Sequence, residues 1–265
     1  MSALRLWIEG VGLLGPGLAS WASGREVLAG TQAHASAPAV LPPPARLPAA
    51  ERRRAGAAVK LALAVADEAV AQAQVDPSTL ATVFTSSSGE GQNCHALCET
   101  LATPTPLVSP TRFTNSVHNA AAGCWHIAVA SRASSTSLCA FDGSFCAGLI
   151  EAATLMRASG RPLLLVASDS PYPEPLHSAR PLPDHFGAAL MLSPTESARA
   201  IASLTISLNS SAEPDQCADA SLEALRHAIP AARGLPLLIA LAKERAARSV
   251  VLDYLPGLHL QVDLA

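Results

Sequence analysis

Short apolar stretches of strand length alternate along this chain with longer segments in which apolar residues recur at helical spacing, and this alternation constrains the fold most. Residues 4–14, 161–168 and 185–193 predict strands, and residues 49–74 and 143–160 predict helices. Strands that alternate with helices predict a layered α/β fold. Because a helical crossover usually joins parallel strands, we expect a mixed, mostly parallel sheet.

Further segments extend this pattern. The Pro- and Ala-rich stretch at residues 31–48 predicts a loop, because it has too few large apolar side chains to pack alone. Gly160 is a suitable C-cap for the helix that precedes it. We also expect strands at 80–85, 135–142 and 200–208, helices at 90–101, 115–131 and 218–229, a short apolar segment at 235–242, and two strands around Gly257.

Composition excludes several classes of protein. Hydrophobic residues make up 49% of the 265 residues and charged residues 15%, so the chain has ample material for a core and is not disordered. With 18 Lys+Arg against 21 Asp+Glu, it is not expected to bind nucleic acid. Glu9 interrupts the apolar start, and Lys60 and Asp67 interrupt the best candidate membrane segment. We therefore expect a cytoplasmic protein that does not enter a membrane.

Some of the six cysteines are candidate metal ligands. Their placement in apolar runs of a long chain is typical of reduced thiols, not of a disulfide scaffold. Two cysteines lie in a C-x3-C pair, but no second pair with metal-ligand spacing follows. We expect neither a metal nor an organic cofactor. The candidate ligands are Cys94, His95, Cys98, Cys124 and His126.

The strand, turn and helix over residues 135–158 carry the clearest chemical signal. A turn that leads into a helix holds one side chain near the helix N-terminus, where the helix dipole favours negative charge. A nucleophilic enzyme would place Cys or Ser there, whereas this chain has Asp142. Asp142 fits a helix cap or local hydrogen-bond acceptor, and also a general base.

Residues 109–153, which contain FTNSVHNAAAGCW and STSLCAFDGSFCAGLIEAA, resemble the N-terminal half of β-ketoacyl synthases. They are most similar to short proteins with a β-ketoacyl synthase-like N-terminal domain, which are described as chain-length-factor-like subunits of aryl polyene and xanthomonadin-type clusters. Weaker similarity covers residues 4–195. The resemblance implies a thiolase-like layered α-β-α half-fold with a truncated second half. One domain would span residues 1–265, with 1–199 as the ketosynthase-like half and 200–265 as a short α+β tail.

The chain departs from the catalytic members of this family at two places. Their elbow reads T-A-C-x-S, and Asp142 falls at the position of the nucleophilic cysteine, with Cys139 and Cys146 three residues before and four after. Their second half supplies two histidines in H-G-T-G-T and G-H-x-x-G motifs. After residue 200 this chain has only His227 and His259, in neither motif. We therefore expect no catalytic residue and no independent condensation.

The resemblance implies a non-catalytic partner that forms a heterodimer with a full-length β-ketoacyl synthase and shapes its acyl tunnel. In ketosynthase dimers the strand before the elbow pairs antiparallel with its twofold mate, and an apolar strand left as an open edge is prone to aggregate. An acidic acyl carrier protein is a further partner that Arg52–Arg54 could contact, although such a run also suits a solvated helix face. The expected interface and tunnel-shaping residues are Phe113, Trp125, Ser135, Thr136, Ser137, Leu138, Cys139, Phe141 and Phe145.

Two other functions stay open from the sequence. The chain could be an independent acyltransferase or hydrolase of reduced thiolase fold that uses Cys139, Cys146 or Asp142 with His118. Alternatively, it could be a homodimeric acyl-binding module. His118 also fits a polar residue near a helix start, and the aromatic residues also fit the core.

Overall fold

The computed structural model describes residues 4–243 and 247–265. Its strands are β1 (Leu4–Leu14), β2 (Ala81–Thr85), β3 (Ser135–Leu138), β4 (Leu163–Asp169), β5 (Phe186–Ser193), β6 (Ala202–Asn209), β7 (Arg248–Leu255) and β8 (Leu258–Leu264). Its α-helices are α1 (Trp21–Ala29), α2 (Ala49–Arg54), α3 (Ala57–Ala73), α4 (Gly91–Leu101), α5 (Pro110–Thr114), α6 (Ala120–Ala128), α7 (Ser144–Ser159), α8 (Leu176–Ala179), α9 (Ala220–Ala228) and α10 (Leu235–Ala242).

The described strands form one sheet in the order β3-β2-β4-β5-β1-β6-β8-β7. β2 is parallel to β3 and β4, whereas every other neighbouring pair is antiparallel. The sheet is mixed, as expected, but the prediction that it is mostly parallel was wrong. Helical crossovers of more than one turn connect the parallel strands β2, β3 and β4, and β7 and β8 form a hairpin around Gly257.

Helices cover both faces of the sheet, so the layered α-β-α arrangement is confirmed. On one face, Leu61 and Val65 of α3 belong to the same buried cluster as Leu164 and Met191 of the sheet. On the other face, α7 and α10 pack in a second buried cluster. α7 contacts β2 and β4 near one end of the sheet and also β7 at the opposite end. The sheet therefore curls around α7, and β7 reaches the start of that helix.

The helix predicted over residues 49–74 is interrupted, so that α2 ends at Arg54 and α3 begins at Ala57. Gly56 lies at the break. A Cβ atom there would lie 2.4 Å from Oε2 of Glu90, which is closer than nonbonded atoms approach. Glycine is also a poor helix former. The break therefore lets Glu90 approach the backbone at the N-terminus of α3.

Two other predicted elements differ in length from those observed. The helix expected over 115–131 is confined to α6, and the strand expected over 135–142 ends at Leu138. The predicted C-cap is confirmed, because Gly160 ends α7 with a φ of 65°. Within the residues that the structure describes, no helix is both long enough and apolar enough to cross a membrane.

Candidate functional site

The elbow between β3 and α7 is a tight turn that a serine holds closed. Ser144 Oγ donates a hydrogen bond to the carbonyl oxygen of Phe141 at 2.7 Å and accepts one from the amide of Ala140 at 3.1 Å. Phe141 has a φ of 51°, in the left-handed region that bulky side chains rarely occupy. These bonds position Asp142 immediately before the N-terminus of α7.

Both carboxylate oxygens of Asp142 bind arginine. Oδ1 accepts a hydrogen bond from Arg180, and Oδ2 accepts one from Nη2 of Arg233 at 3.1 Å. Arg233 also donates to Asp253 on β7 at 2.9 Å, so the elbow is tied to the curled end of the sheet. A carboxylate whose two oxygens are engaged by two guanidinium groups acts as a charge partner. The arrangement offers no free nucleophile.

A polar network continues from Arg180 to the end of β4. Arg180 Nη1 donates to the hydroxyl of Tyr172 at 3.0 Å, which lies 3.0 Å from Ser87 Oγ. Ser87 donates to Asp169 through both its hydroxyl and its amide, each at 2.7 Å, and the amide of Ala231 donates to the same carboxylate at 2.8 Å. Burial raises the pKa of Asp169, while these hydrogen bonds oppose that rise.

Sequence reasoning missed every partner of Asp142. Arg180 and Arg233 lie 38 and 91 residues further along the chain. Neither stands in a motif, and no spacing rule joins residues this far apart. Only the fold brings them together.

The two cysteines that flank Asp142 differ in environment. Cys146 is buried in the core, and burial raises the pKa of its thiol above its ordinary value. It therefore remains protonated near neutral pH and does not serve as a thiolate nucleophile. Cys139 is exposed, and its thiol donates a hydrogen bond to the carbonyl oxygen of Ser87 at 3.1 Å.

A small cavity lies where β2, β3 and β4 end. Its lining includes Ser86, Glu90, His118, Ser137 and Ser168. Burial raises the pKa of Glu90, because charge is disfavoured away from water. The cavity is small, with about 30 Å³ of space for water.

β3 is a terminal strand with one open side. The carbonyl groups of Ser134 and Leu138 accept hydrogen bonds at 3.0 and 3.3 Å from the amides of Thr82 in β2 and of Ser86, which follows β2. Because backbone groups alternate sides along a strand, those of Ser135 and Ser137 face away from the sheet. Among the described residues, no strand pairs with this side.

β7, at the other end of the sheet, is covered instead. The Asp215 amide donates a hydrogen bond to the carbonyl oxygen of Val251, and Asp215 Oδ2 accepts one from the Val251 amide. Both hydrogen bonds are 2.8 Å long. Cys146 Sγ lies 3.5 Å from the carbonyl oxygen of Asp253 and is placed to donate to it. The two sheet edges therefore differ, because Asp215 covers Val251 on β7, whereas no described strand covers β3.

The predicted interface residues fall into two groups. Phe113 and Phe141 are 69% and 59% exposed, and Cys139 and the β3 residues are at or near the surface. Trp125 and Phe145, in contrast, are buried within this chain, so neither side chain lies at the surface that the prediction of interface and tunnel-shaping residues assumed. Trp125 packs with α3, and Phe145 packs tightly against Gly234. Large size alone does not distinguish a core aromatic from an exposed one.

Exposed apolar side chains concentrate in the part of the chain around β3. Monomeric proteins rarely leave large apolar patches uncovered, so such residues indicate a contact surface. Those between residues 101 and 141 are Leu101, Leu107, Phe113, Val117, Ile127 and Phe141.

The candidate metal ligands do not converge. Within the described ranges, no group of three or more His, Cys, Asp or Glu side chains is placed to hold a metal ion. Cys94 and Cys98 are exposed on α4, and Cys124 is partly buried on α6. His126 instead lies 3.2 Å from Thr82 Oγ1 beside β3.

Comparison with known families is consistent with this geometry. The profile of the family described as "Beta-ketoacyl synthase, N-terminal domain" matches residues 21–244. The chain therefore belongs to the β-ketoacyl synthase N-terminal domain family. No curated protein matches the sequence.

Solved structures share the fold. A chain from a ketosynthase (ApeO) in complex with its chain length factor (ApeC) from Xenorhabdus doucetiae superposes with a TM-score of 0.73 at 24% identity, covering 99% of both chains. The ishigamide ketosynthase/chain length factor gives 0.70 at 15% identity, covering 98% of this chain and 99% of that one. A chain of AntDE:AntF, a type II polyketide acyl-carrier protein in complex with its ketosynthase, gives 0.70 at 11% identity, covering 99% of both chains. These likenesses confirm the thiolase-like fold.

Proposed function

We propose that this chain is a non-catalytic, chain-length-factor-like partner of a β-ketoacyl-ACP synthase in aryl polyene or polyketide-type fatty acid biosynthesis. The observation that carries the proposal is the engagement of the Asp142 carboxylate, whose two oxygens bind Arg180 and Arg233. By the family resemblance, Asp142 stands at the nucleophile position. The partner would perform the decarboxylative condensation. Two of the similar structures, each a ketosynthase with a chain length factor, support the same assignment.

The open edge of β3 supports a particular mode of association. The outward backbone groups of Ser135 and Ser137 suit antiparallel pairing with the equivalent strand of a ketosynthase, which would join the two sheets. Phe113 and Phe141, both largely exposed, would then lie on the partner's side. Bulky side chains at these positions would limit the length of the acyl chain that the partner's tunnel accepts.

An acyl carrier protein is a second partner in this proposal. Arg53, Arg54 and Arg112 line an open groove of about 620 Å³, and these cations suit an acidic carrier. Arg52, expected with its two neighbours, instead donates to the carbonyl oxygens of Ala45 and Leu47 within its own chain.

Domain organisation is part of the same proposal. Residues 1–199 would form the ketosynthase-like half, and residues 200–265 would replace the longer second half of a condensing enzyme. The contact between β7 and α7, together with the Arg233–Asp142 ion pair, supports a tail that closes over the elbow.

Co-expression with the full-length ketosynthase of the same gene cluster tests the function. A tag on this chain alone should purify both chains, and light scattering should give the mass of one copy of each. A stable homodimer that does not bind the ketosynthase would refute the proposal and favour a homodimeric binding module.

Two proline variants make the test specific to β3. Ser137→Pro removes an outward amide, which its own sheet does not use, and should abolish co-purification while the chain stays folded. Thr136→Pro removes an inward amide and should destabilise the chain itself. Full complex formation by Ser137→Pro would exclude pairing through β3.

A further inference from the structure

We propose that Arg180 is a positioning residue that holds Phe141 in place as the aromatic anchor of the ketosynthase interface, an inference that rests on the proposed function. The inference gives a role in this interface to Arg180, which lies outside β3 and 38 residues after Asp142. It also assigns the largest single share of the binding energy to one side chain.

The backbone of Phe141 is held in a conformation that it would not adopt alone. Its φ of 51° is disfavoured for a bulky side chain and persists only where surrounding contacts enforce it. Ser144 provides one such contact by donating to the Phe141 carbonyl oxygen at 2.7 Å. The ring nevertheless remains 59% exposed, so this conformation does not serve to bury the ring in the chain's own core.

Arg180 stacks on the exposed ring. Its guanidinium carbon lies 3.7 Å from the centroid of Phe141, a close cation–π contact. The same guanidinium group donates to Tyr172 at 3.0 Å and binds Asp142, so it is fixed from two further directions. Its planar surface therefore orders the ring before any partner binds.

An ordered, exposed aromatic side chain is well suited to anchor a protein interface. Aromatic residues and arginine are enriched among the few residues that dominate binding energy, and side chains already ordered in the free protein lose less entropy on binding. Phe141 follows the end of β3 by three residues. A strand that pairs with β3 would therefore bring its partner beside this ring.

Affinity measurements on the heterodimer test the anchor. We expect Phe141→Ala to weaken binding of the purified ketosynthase by about thirtyfold or more, the effect of losing a dominant contact. Phe141→Trp should retain affinity, because it keeps an aromatic face for Arg180. Leu208→Ala, at an exposed apolar position on β6, is the matched control and should remain within about twofold of wild type.

A double-mutant cycle tests the positioning role. Arg180→Lys keeps the positive charge near Asp142 but loses the planar stack, and should weaken binding by about tenfold. In the Phe141→Ala background it should cause no further loss. Additive losses would overturn the positioning role, and wild-type affinity of Phe141→Ala would overturn the anchor. If the wild-type chain itself fails to bind the ketosynthase, the proposed function fails, and this inference fails with it.

Discussion

At the scale of single residues, the elbow uses Asp142 as a structural charge partner. Asp142 keeps negative charge at the start of α7, where the helix dipole favours it. Arg180 and Arg233 then neutralise that charge. Phe141 and Ser144 shape the turn around it. The Asp142 side chain thereby links three separate parts of the chain.

Removing the Asp142 carboxylate should destabilise the protein. Asp142→Ala leaves two arginines, both largely buried, without their shared counter-ion, and we expect a loss of about 1–2 kcal/mol in the free energy of unfolding. Urea denaturation measures the change. The control is Glu51→Ala, which breaks an exposed ion pair with Arg54 and should cost less than about 0.5 kcal/mol. Equal effects of the two variants would contradict the structural role of Asp142.

Two partly buried histidines predict how stability depends on pH. Burial lowers the pKa of both His126 and His185 below the ordinary value of 6.5. The unfolded chain therefore binds more protons than the folded one between the lowered pKa and 6.5, so the unfolding free energy falls as pH decreases through that window.

Urea unfolding at about pH 7.5 and about pH 5.5 measures this loss. The double variant His126→Gln/His185→Gln should lose less stability on acidification than wild type. If the double variant loses as much unfolding free energy on acidification as wild type does, other groups control the pH dependence.

At the scale of elements, the two edge strands of the sheet differ in how far their outer backbone groups are hydrogen bonded. The described part of the chain leaves β3 without a strand on its outer side, whereas Asp215 pairs with Val251 in the middle of β7. An uncovered edge is a template for another strand. We expect this asymmetry to direct association to β3.

Removing the cover from β7 should expose this second edge. Asp215→Ala deletes the acceptor for the Val251 amide, and we expect that amide to exchange with solvent about tenfold faster, as the loss of one hydrogen bond allows. The variant should also self-associate at high concentration, as measured by sedimentation velocity. Asp215→Asn keeps an acceptor oxygen and serves as the matched control. If Asp215→Ala leaves exchange at Val251 unchanged, Asp215 does not protect the edge.

At the scale of the whole molecule, one sheet curls around α7 so that both of its ends matter to the proposed assembly. β7 closes over the elbow through Arg233 and Asp253, while β3 stays open for a second chain.

Hydrogen exchange on the heterodimer should reveal this division. On binding the ketosynthase, the amides of Ser135 and Ser137 should exchange at least about tenfold more slowly, because they gain strand partners. The exchange rate of the Val251 amide should change little, because this amide is already hydrogen bonded to Asp215. Slower exchange at Val251 without any change at β3 would place the interface at β7 and contradict pairing through β3.

Local pattern was sufficient for the elements and for the elbow. Helical spacing, turn residues and short apolar runs located β1, β4, β5 and α7, and also Gly160 as a C-cap, because each depends on neighbours within a few turns of chain. The family motif placed Asp142 where a cysteine would stand. Both inferences use interactions between residues close in sequence.

Tertiary structure alone decided the rest. The direction of most strand pairs, the burial of Trp125 and Phe145, and the break at Gly56 depend on what packs from distant parts of the chain. The ion pairs of Asp142 span up to 91 residues, and nothing local specifies them. Charge complementarity acts through space, so the sequence by itself determined which side chain stands at the elbow, and the fold decided what that side chain does.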